Sequence, residues 1–361
     1  MHSHRLLFSV SATILALTLA GNTLIAQTKK PSKPKSTKSK PTKAPPHETL
    51  GTKQMAGGDG VIGTEYTLGK DNPMNIVVSK VEYRADRIAA GDEAITPNSE
   101  EKLLAVHFTF HNPQPREALV RGDTFRFTAV DAAGTNHEYD PTIWLEADGK
   151  TLDLTLKPGQ KVEGYSLIRL PAAGDIEKLM IISSEDKAIR YPLKGKVKPL
   201  ATLYADPMVK GAFTVGASVA ATLGEAIPLA PTGQKSSEYF DFTIEKLALS
   251  SKPLMDEAPE EGKQFVILTG RVKNISRTDG LLVRADSLKL ALVTTEGESI
   301  EHTGRMLHAT QGRETEFTFA KGAEGRFRLW FIVYKDAKLK SLSIRHNDND
   351  RPFILDLSKG L

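Results

Sequence analysis

The chain contains an internal repeat with a spacing of 163 residues. Residues 119–127 read LVRGDTFRF and return as LVRADSLKL at residues 282–290. The same spacing joins Gly134 to Gly297 and matches apolar to apolar positions over about sixty residues without a gap. A match of this length predicts one structural unit that is built twice.

Both copies are predicted to consist of β-strands. In residues 104–111 every second side chain is apolar, which places Leu104, Val106 and Phe108 on one face of a strand. Short strands that recur without a helical period are typical of antiparallel β-sandwiches. The other predicted strands are residues 124–130, 152–156, 162–170, 176–182 and 188–193 in copy one, and 241–249, 264–272, 287–293, 314–319, 325–334, 340–345 and 352–357 in copy two.

The earliest strand is also predicted to repeat, because residues 66–69 read YTLG and residues 221–224 read ATLG. This match places the start of copy two within the Ala- and Gly-rich stretch before residue 229. The predicted domains are therefore a first β-sandwich at residues 59–199 and a second at residues 200–361.

The N-terminus is predicted to be a signal peptide, residues 1–26. Arg5 precedes an apolar run at residues 6–20, and Ala26 before Gln27 is the preferred cleavage site. The alternative is an uncleaved membrane anchor, but the run is short and contains several Ser and Thr residues. We therefore expect an exported protein that is periplasmic or extracellular.

Residues 27–58 are predicted to be a disordered linker. Residues 28–46 contain seven lysines, five prolines and no acidic residue. Residues 1–47 hold eight of the 48 basic residues and none of the 44 acidic ones, so the remainder carries a formal charge of −4. The basic character belongs to the linker, and we expect no nucleic-acid partner. The chain has no cysteine, which excludes disulfides and thiolate metal ligands.

Each copy resembles a family of secreted bacterial immunoglobulin-like domains of unknown function, similar in fold to a mycobacterial immunoprotective extracellular antigen. The resemblance lies in a strand that ends at Asn112 or Asn274 and in the Leu-x-Arg-x-Asp pattern at residues 119–123 and 282–286. Leu-Lys-Pro-Gly at residues 156–159 completes the pattern. The resemblance implies two tandem immunoglobulin-like β-sandwiches of the envelope or extracellular space, without known catalysis.

One strand of copy two suggests a binding surface. In residues 327–334 one face holds only apolar side chains, and the other face is unusually aromatic. Aromatic side chains offer a large contact area at low entropic cost, as binding interfaces require. The alternative is internal packing, since buried central strands are apolar on both faces. The predicted binding residues are Arg328, Trp330, Ile332 and Tyr334.

Other motifs favour ordinary structural roles. His302, Met306 and His308 suit copper(I), but no carboxylate or cysteine completes the set, and we expect no metal or cofactor. Acidic residues at 92–93, 100–101, 256–257 and 260–261 fit solvated loops better than calcium sites. Arg121-Gly122-Asp123 spells an adhesion tripeptide, but Arg284-Ala285-Asp286 in the second copy favours a turn in which Asp binds backbone amides.

No catalytic motif is recognisable in the folded region. We therefore predict a non-enzymatic interaction module that binds a protein or an envelope polymer, with weak contact between the Lys-rich linker and anionic surfaces. The first alternative is a carbohydrate-binding protein or an accessory protein of a hydrolase. The second is a periplasmic metal-handling protein.

Overall fold

The computed structural model describes residues 57–183, 188–201, 203–204, 218–255 and 257–360. Within these ranges the chain is all-β, with a single 3-10 helix at Ala285–Ser287 and no α-helix. No helix of this described part could span a membrane. The predicted signal peptide and nearly all of the predicted linker lie outside the described residues.

The first half of the structure, residues 57–204, contains twelve strands. They are β1 (Glu65–Leu68), β2 (Met74–Arg84), β3 (Ile88–Ala90), β4 (Glu93–Ile95), β5 (Glu101–His111), β6 (Ala118–Arg121), β7 (Phe125–Asp131), β8 (Asn136–Leu145), β9 (Asp153–Leu156), β10 (Lys161–Pro171), β11 (Ile176–Ser183) and β12 (Ile189–Pro192).

Two sheets of the first half enclose one hydrophobic core. One sheet has the order β1-β2-β5-β10-β8, and β8 continues into the second, which has the order β8-β7-β11-β12. The alternating residues Leu104, Val106 and Phe108 of β5 point into this core, as their spacing predicts. Strands β6 and β9 form a separate antiparallel pair.

The second half, residues 218–360, contains the remaining strands. They are β13 (Val219–Ala221), β14 (Ala226–Leu229), β15 (Lys235–Ser236), β16 (Phe240–Ser250), β17 (Lys263–Lys273), β18 (Leu281–Val283), β19 (Leu288–Thr294), β20 (Ser299–Glu301), β21 (Leu307–His308), β22 (Phe317–Phe319), β23 (Glu324–Tyr334), β24 (Leu339–His346) and β25 (Phe353–Asp356).

The second half also has two sheets around a core of its own. Their orders are β14-β16-β17-β23-β21 and β13-β25-β24-β19-β20, and β18 pairs with β22. The predicted strands coincide with observed ones in both halves; residues 325–334, for example, lie in β23. The β-sandwich prediction is therefore confirmed from strand pairing alone.

The predicted match between residues 66–69 and residues 221–224 is wrong. Strand β1 ends just before Gly69 and pairs with β2, whereas Ala221 ends β13, which pairs with β25, and residues 222–224 follow that strand. The strand that pairs in the second half as β1 does in the first is β14. The shared Leu-Gly pair marks a turn in each half, because Gly69 and Gly224 have φ of 92° and 85°.

An arginine from each half reaches the backbone of the other half. Arg351 is 2% exposed and donates hydrogen bonds to the carbonyls of Ala85 at 2.5 Å and Asn98 at 2.7 Å. In the opposite direction, Arg87 donates to the carbonyl of Phe240 at 3.1 Å. Charged donors satisfy buried carbonyls strongly, so these contacts hold the halves together.

Main-chain pairing also joins the halves. Strand β15 of the second half adds to the β3–β4 hairpin of the first, with Lys235 opposite Ile95. The amide of Gly233 extends this pairing and donates to the carbonyl of Thr96 at 2.9 Å. A strand register fixes the relative position of its partners, so this small sheet fixes the two halves in one arrangement.

Candidate functional site

Strand β23 separates its side chains as the sequence predicts. The apolar face, Phe327, Leu329, Phe331 and Val333, lies in the core of the second half. On the other face Trp330 is 1% exposed, whereas Ile332 is 42% and Tyr334 56% exposed. The predicted binding residues therefore divide into a buried and an exposed group.

Trp330 is covered by other segments of the same chain. Its ring packs with Phe265 of β17 and Leu307 of β21, and Met255 adds to this cluster. The guanidinium of Arg305 lies 5.6 Å from the ring centroid. The ring therefore has no face open to a partner, and we correct its predicted place in the binding surface to internal packing.

Arg305 is held over Trp330 by two carboxylates. Its guanidinium pairs with Glu257 at 2.7 Å and with Glu314. These ion pairs raise the pKa of Arg305. They connect the loop before β17 to the loop after β21, and so fix both loops over the outer face of the sheet.

The first half has a similar cover over the outer face of its own sheet. The β3–β4 hairpin contributes Ile88 and Ile95, which pack with Tyr165 of β10 and with Trp144 of β8. The ammonium of Lys235 lies 5.3 Å from the Trp144 ring centroid. Both tryptophans of the chain are therefore buried by neighbouring segments and serve in packing.

Arg328 lies between two neighbouring strands. By register it is opposite Thr269 of β17 and Leu307 of β21. Its side chain is partly buried, and its Nε has no hydrogen-bond acceptor among the described residues. Arg328 therefore lies in the part of β23 that pairs with β21, and not in the part that carries the exposed Ile332 and Tyr334.

Ile332 and Tyr334 occupy the C-terminal end of β23, where the strand has a partner on one side only. Strand β21 pairs with just two residues of β23, the last of them Arg328. Beyond it the amide of Thr303 donates to the carbonyl of Trp330 at 3.1 Å, and no strand of the described residues pairs with β23 on this side from Ile332 onward. We call Ile332, Tyr334 and this backbone the β23 edge.

Lys263 of β17 is opposite Tyr334 in the register and lies beside its ring. Its ammonium lies 5.4 Å from the Tyr334 ring centroid and pairs with the Glu260 carboxylate at 2.8 Å. The Glu260 carboxylate raises the pKa of Lys263. A cation within about 6 Å of an aromatic ring centroid is attracted to the ring face.

The first half carries different side chains at the same place in its sheet. Strand β10 pairs with β5 as β23 pairs with β17, and its end carries Arg169 and Pro171. Arg169 forms an ion pair with Glu101 at 3.1 Å. The exposed apolar pair of the second half is therefore not a requirement of the fold.

The residues weighed for copper do not converge on an open site. His302 donates from Nε2 to the carbonyl of Leu288 and accepts at Nδ1 from the amide of Gly304, and burial lowers its pKa. Met306 lies in the hydrophobic core. Within the described residues no group of three His, Cys, Asp or Glu could hold a metal, and Asp256 of the acidic loop lies outside them.

The Arg-Gly-Asp segment forms a turn, with one difference from prediction. The Thr124 hydroxyl accepts from the amide of Arg121 at 2.9 Å, while Asp123 pairs with the Arg121 guanidinium at 3.6 Å. In the second half Ser287 accepts from the amide of Arg284 at 3.1 Å. A hydroxyl, and not the predicted Asp, therefore binds the backbone amide in both turns.

Comparison with solved structures finds an uncharacterized β-sandwich protein from Clostridium difficile 630. It is 15% identical, the match covers 41% of this chain and 99% of that chain, and the TM-score is 0.29. No protein family matches the sequence. No curated protein matches it either. The strand pairing described above defines the class, a β-sandwich protein with two cores.

Proposed function

We propose that this protein is an exported, non-enzymatic binding module of two tandem immunoglobulin-like domains, residues 59–199 and 200–361. The proposal of an internal duplication is supported by the matching strand orders of the two halves. It is also supported by the buried amides of Asn112 and Asn274, which donate to the carbonyls of Leu156 and Phe319 at 2.9 Å and 3.2 Å. These domains resemble the secreted family named above.

The binding site that we propose is the β23 edge, and its occupant is an extended segment of a partner protein. The observation that carries this is the unpaired strand edge at Ile332. Backbone groups of alternate residues point to the same edge of a strand. Because the carbonyl of Trp330 faces the β21 side, where it binds Thr303, the backbone groups of Ile332 face that side as well.

Strand addition uses both features of this edge. Main-chain hydrogen bonds supply affinity, and contacts with alternate side chains supply specificity. Ile332 and Tyr334 are two residues apart and lie on the same face, so an added strand would contact both. An unpaired edge with exposed apolar side chains invites such pairing, whereas the Arg169–Glu101 ion pair discourages it in the first half.

The remaining parts of the chain fit an exported module. The apolar run at residues 6–20 supports export. We propose that the Lys-rich linker contacts anionic polymers or lipid surfaces weakly, at about 1 kcal/mol per basic residue near such a surface. Salt weakens this contact, because the Debye length falls from about 10 Å at 0.1 M to about 3 Å at 1 M.

The test is selection of peptides from a random library of extended segments on the full chain, followed by affinity measurements. The double variant Ile332→Arg with Lys263→Glu copies the polar pair of the first half and should weaken binding at least tenfold. Leu119→Ser, which changes an exposed leucine of β6, is the matched control and should leave binding unchanged. N-methylation of alternate peptide amides should also abolish binding, because it removes the main-chain donors.

Peptide binding that survives both the double variant and N-methylation would contradict the proposal. Binding to a glycan panel without peptide binding would favour the carbohydrate-binding alternative. Calorimetric binding of copper, zinc or calcium without peptide binding would favour the metal-handling alternative.

A further inference from the structure

We infer that the second half carries a second binding site, a groove for an acidic polysaccharide on the outer face of the sheet β13-β25-β24-β19-β20. The groove has a volume of about 680 Å³. Its floor contains Ala291 and Val293 of β19 and Ser343 of β24. Small side chains on the open face of a sheet leave room for a ligand such as a sugar ring to lie against the strands.

Two cations stand side by side in this groove. Lys289 of β19 is directly opposite Arg345 of β24 in the antiparallel register. Like charges at directly opposite positions destabilise a sheet. Neither side chain forms an ion pair within the described part of the chain, and Arg345 donates only a long hydrogen bond of 3.4 Å to the carbonyl of Asn349. An external anion bound between them would supply a counter-charge for both.

Two of the acids that line the groove have partners of their own. Asp286 pairs with Arg284 at 3.3 Å. The carboxylate of Asp350 accepts hydrogen bonds from the hydroxyls of Ser99 at 2.8 Å and Thr232 at 3.0 Å. Both carboxylates also line the groove, but neither forms an ion pair with Lys289 or Arg345 within the described residues.

The rest of the groove fits a hydroxyl-rich ligand. Glu301 of β20 is opposite Ala291 and supplies a carboxylate that can only accept hydrogen bonds. Ser299 and Asn347 also line the groove and can both donate and accept. A sugar hydroxyl donates to the carboxylate, while a uronate, sulfate or phosphate group on the same chain binds the guanidinium of Arg345.

The corresponding face of the first half lacks this arrangement. There β7 and β11 place Arg126 opposite Ile182, so no second cation stands directly opposite it. Met180 occupies the position that corresponds to Ser343. The groove is therefore specific to the second half, and the first half supplies natural replacements with which to test it.

The test measures binding by calorimetry on the full chain at about 50 mM salt. The probes are a uronic-acid tetrasaccharide, a neutral tetrasaccharide of the same linkage, and inorganic phosphate. Arg345→Ile and Ser343→Met copy the first half, and each should weaken binding of the acidic tetrasaccharide at least tenfold. Arg126→Gln removes one positive charge from the first half and should leave the affinity unchanged, which separates the groove from the Lys-rich linker.

Thermal unfolding provides a second readout and shows whether each variant folds. Arg345→Ile should unfold at the same temperature as the original chain or higher, because it removes the like-charge pair. Lys289→Gln should behave as Arg345→Ile does in both measurements. Equal binding by the two groove variants and the original chain would overturn the inference. Equal affinity for phosphate alone, or for the neutral tetrasaccharide, would overturn the assignment to an acidic saccharide.

Discussion

Arg87 and Asp241 form an ion pair of 2.8 Å between the first half of the chain and strand β16 of the second. Both side chains are largely withdrawn from solvent, with 12% and 27% exposure. The same guanidinium donates to the carbonyls of Leu229 and Phe240. A single side chain thus satisfies three acceptors of the opposite half, and we expect the two halves to unfold as one cooperative unit.

Replacing Arg87 by Ala should lower the free energy of unfolding by about 2–4 kcal/mol, because it leaves buried acceptors without a donor. The matched control is Lys150→Ala, which breaks an exposed ion pair with Asp148 and should cost less than about 1 kcal/mol. Calorimetry should show one unfolding transition for the original chain. Two separate transitions, or equal losses in both variants, would contradict the cooperative unit.

Truncation of Trp330 should lower the stability of the fold far more than truncation of Tyr334. Trp330→Ser removes a fully packed aromatic ring and should cost about 3–5 kcal/mol. Tyr334→Ser changes an exposed ring and should alter stability by about 0.5 kcal/mol or less. Chemical denaturation of the two variants measures both values. If Trp330→Ser lowered the free energy of unfolding only slightly, Trp330 would again be a candidate for the binding surface.

Glu82 should give the first half a stability that is lost in acid. Burial alone would raise its pKa, but hydrogen bonds and charge from Lys80 and Lys198, at 3.0 and 3.1 Å, lower the pKa to about 2. A lowered carboxyl pKa stabilises the fold above the unfolded value of 4.5, and this gain disappears as the pH falls through about 2.

The comparison that checks this is unfolding of the original chain against Glu82→Gln across pH. We expect Glu82→Gln to be less stable by about 2 kcal/mol at pH 7, a value that allows for solvent screening of the exposed lysines. The two curves should converge near pH 2. A constant difference across the whole range would show that the carboxylate charge has no role.

Lys102 should produce a second rise of stability with pH, in base. Its side chain is 1% exposed, lies 4.2 Å from the Tyr83 ring centroid and donates to the carbonyl of Gly174. Burial lowers the pKa of Lys102 to about 8, with the Asp175 carboxylate acting in the other direction. The folded protein therefore loses this proton before the unfolded chain does, and stability rises between about pH 8 and 10.5.

We expect the original chain to gain on the order of 3 kcal/mol relative to Lys102→Met over this interval. Measuring the difference between the two proteins removes the common contribution of tyrosines such as Tyr83. A difference that does not change with pH would mean that Lys102 remains charged in the fold at pH 10.

Strand positions were predictable from apolar patterns that extend over a whole strand. Residues 162–170 and 325–334 lie in two eleven-residue strands, β10 and β23, although the covered outer face of β10 is buried as well as its inner face. The predicted strand at residues 221–224 was wrong because the shared Leu-Gly pair marks a turn. This turn lies at different places in the two halves. Long periodic patterns therefore predicted strands, whereas a short motif did not.

Contacts between distant segments were not predictable from sequence. Arg87 and Arg351 are two of 48 basic residues, and nothing nearby in the sequence marks them as buried. The cover over Trp330 comes from Leu254 and Met255, which precede β17 in a loop without periodicity. The Lys289–Arg345 pair likewise depends on the register between β19 and β24.

The parallel pairing of β13 with β25 determines how the protein resists tension. β13 opens the second half and β25 closes it, with Val219 opposite Phe353, so a pull on this half acts along both strands and loads their hydrogen bonds simultaneously. In the first half the corresponding contact is a single parallel bridge between Asp59 and Arg190. Forced unfolding depends on how fast the weakest element opens. When the chain is stretched, we expect the Asp59–Arg190 bridge to break before the three-residue pairing of β13 with β25.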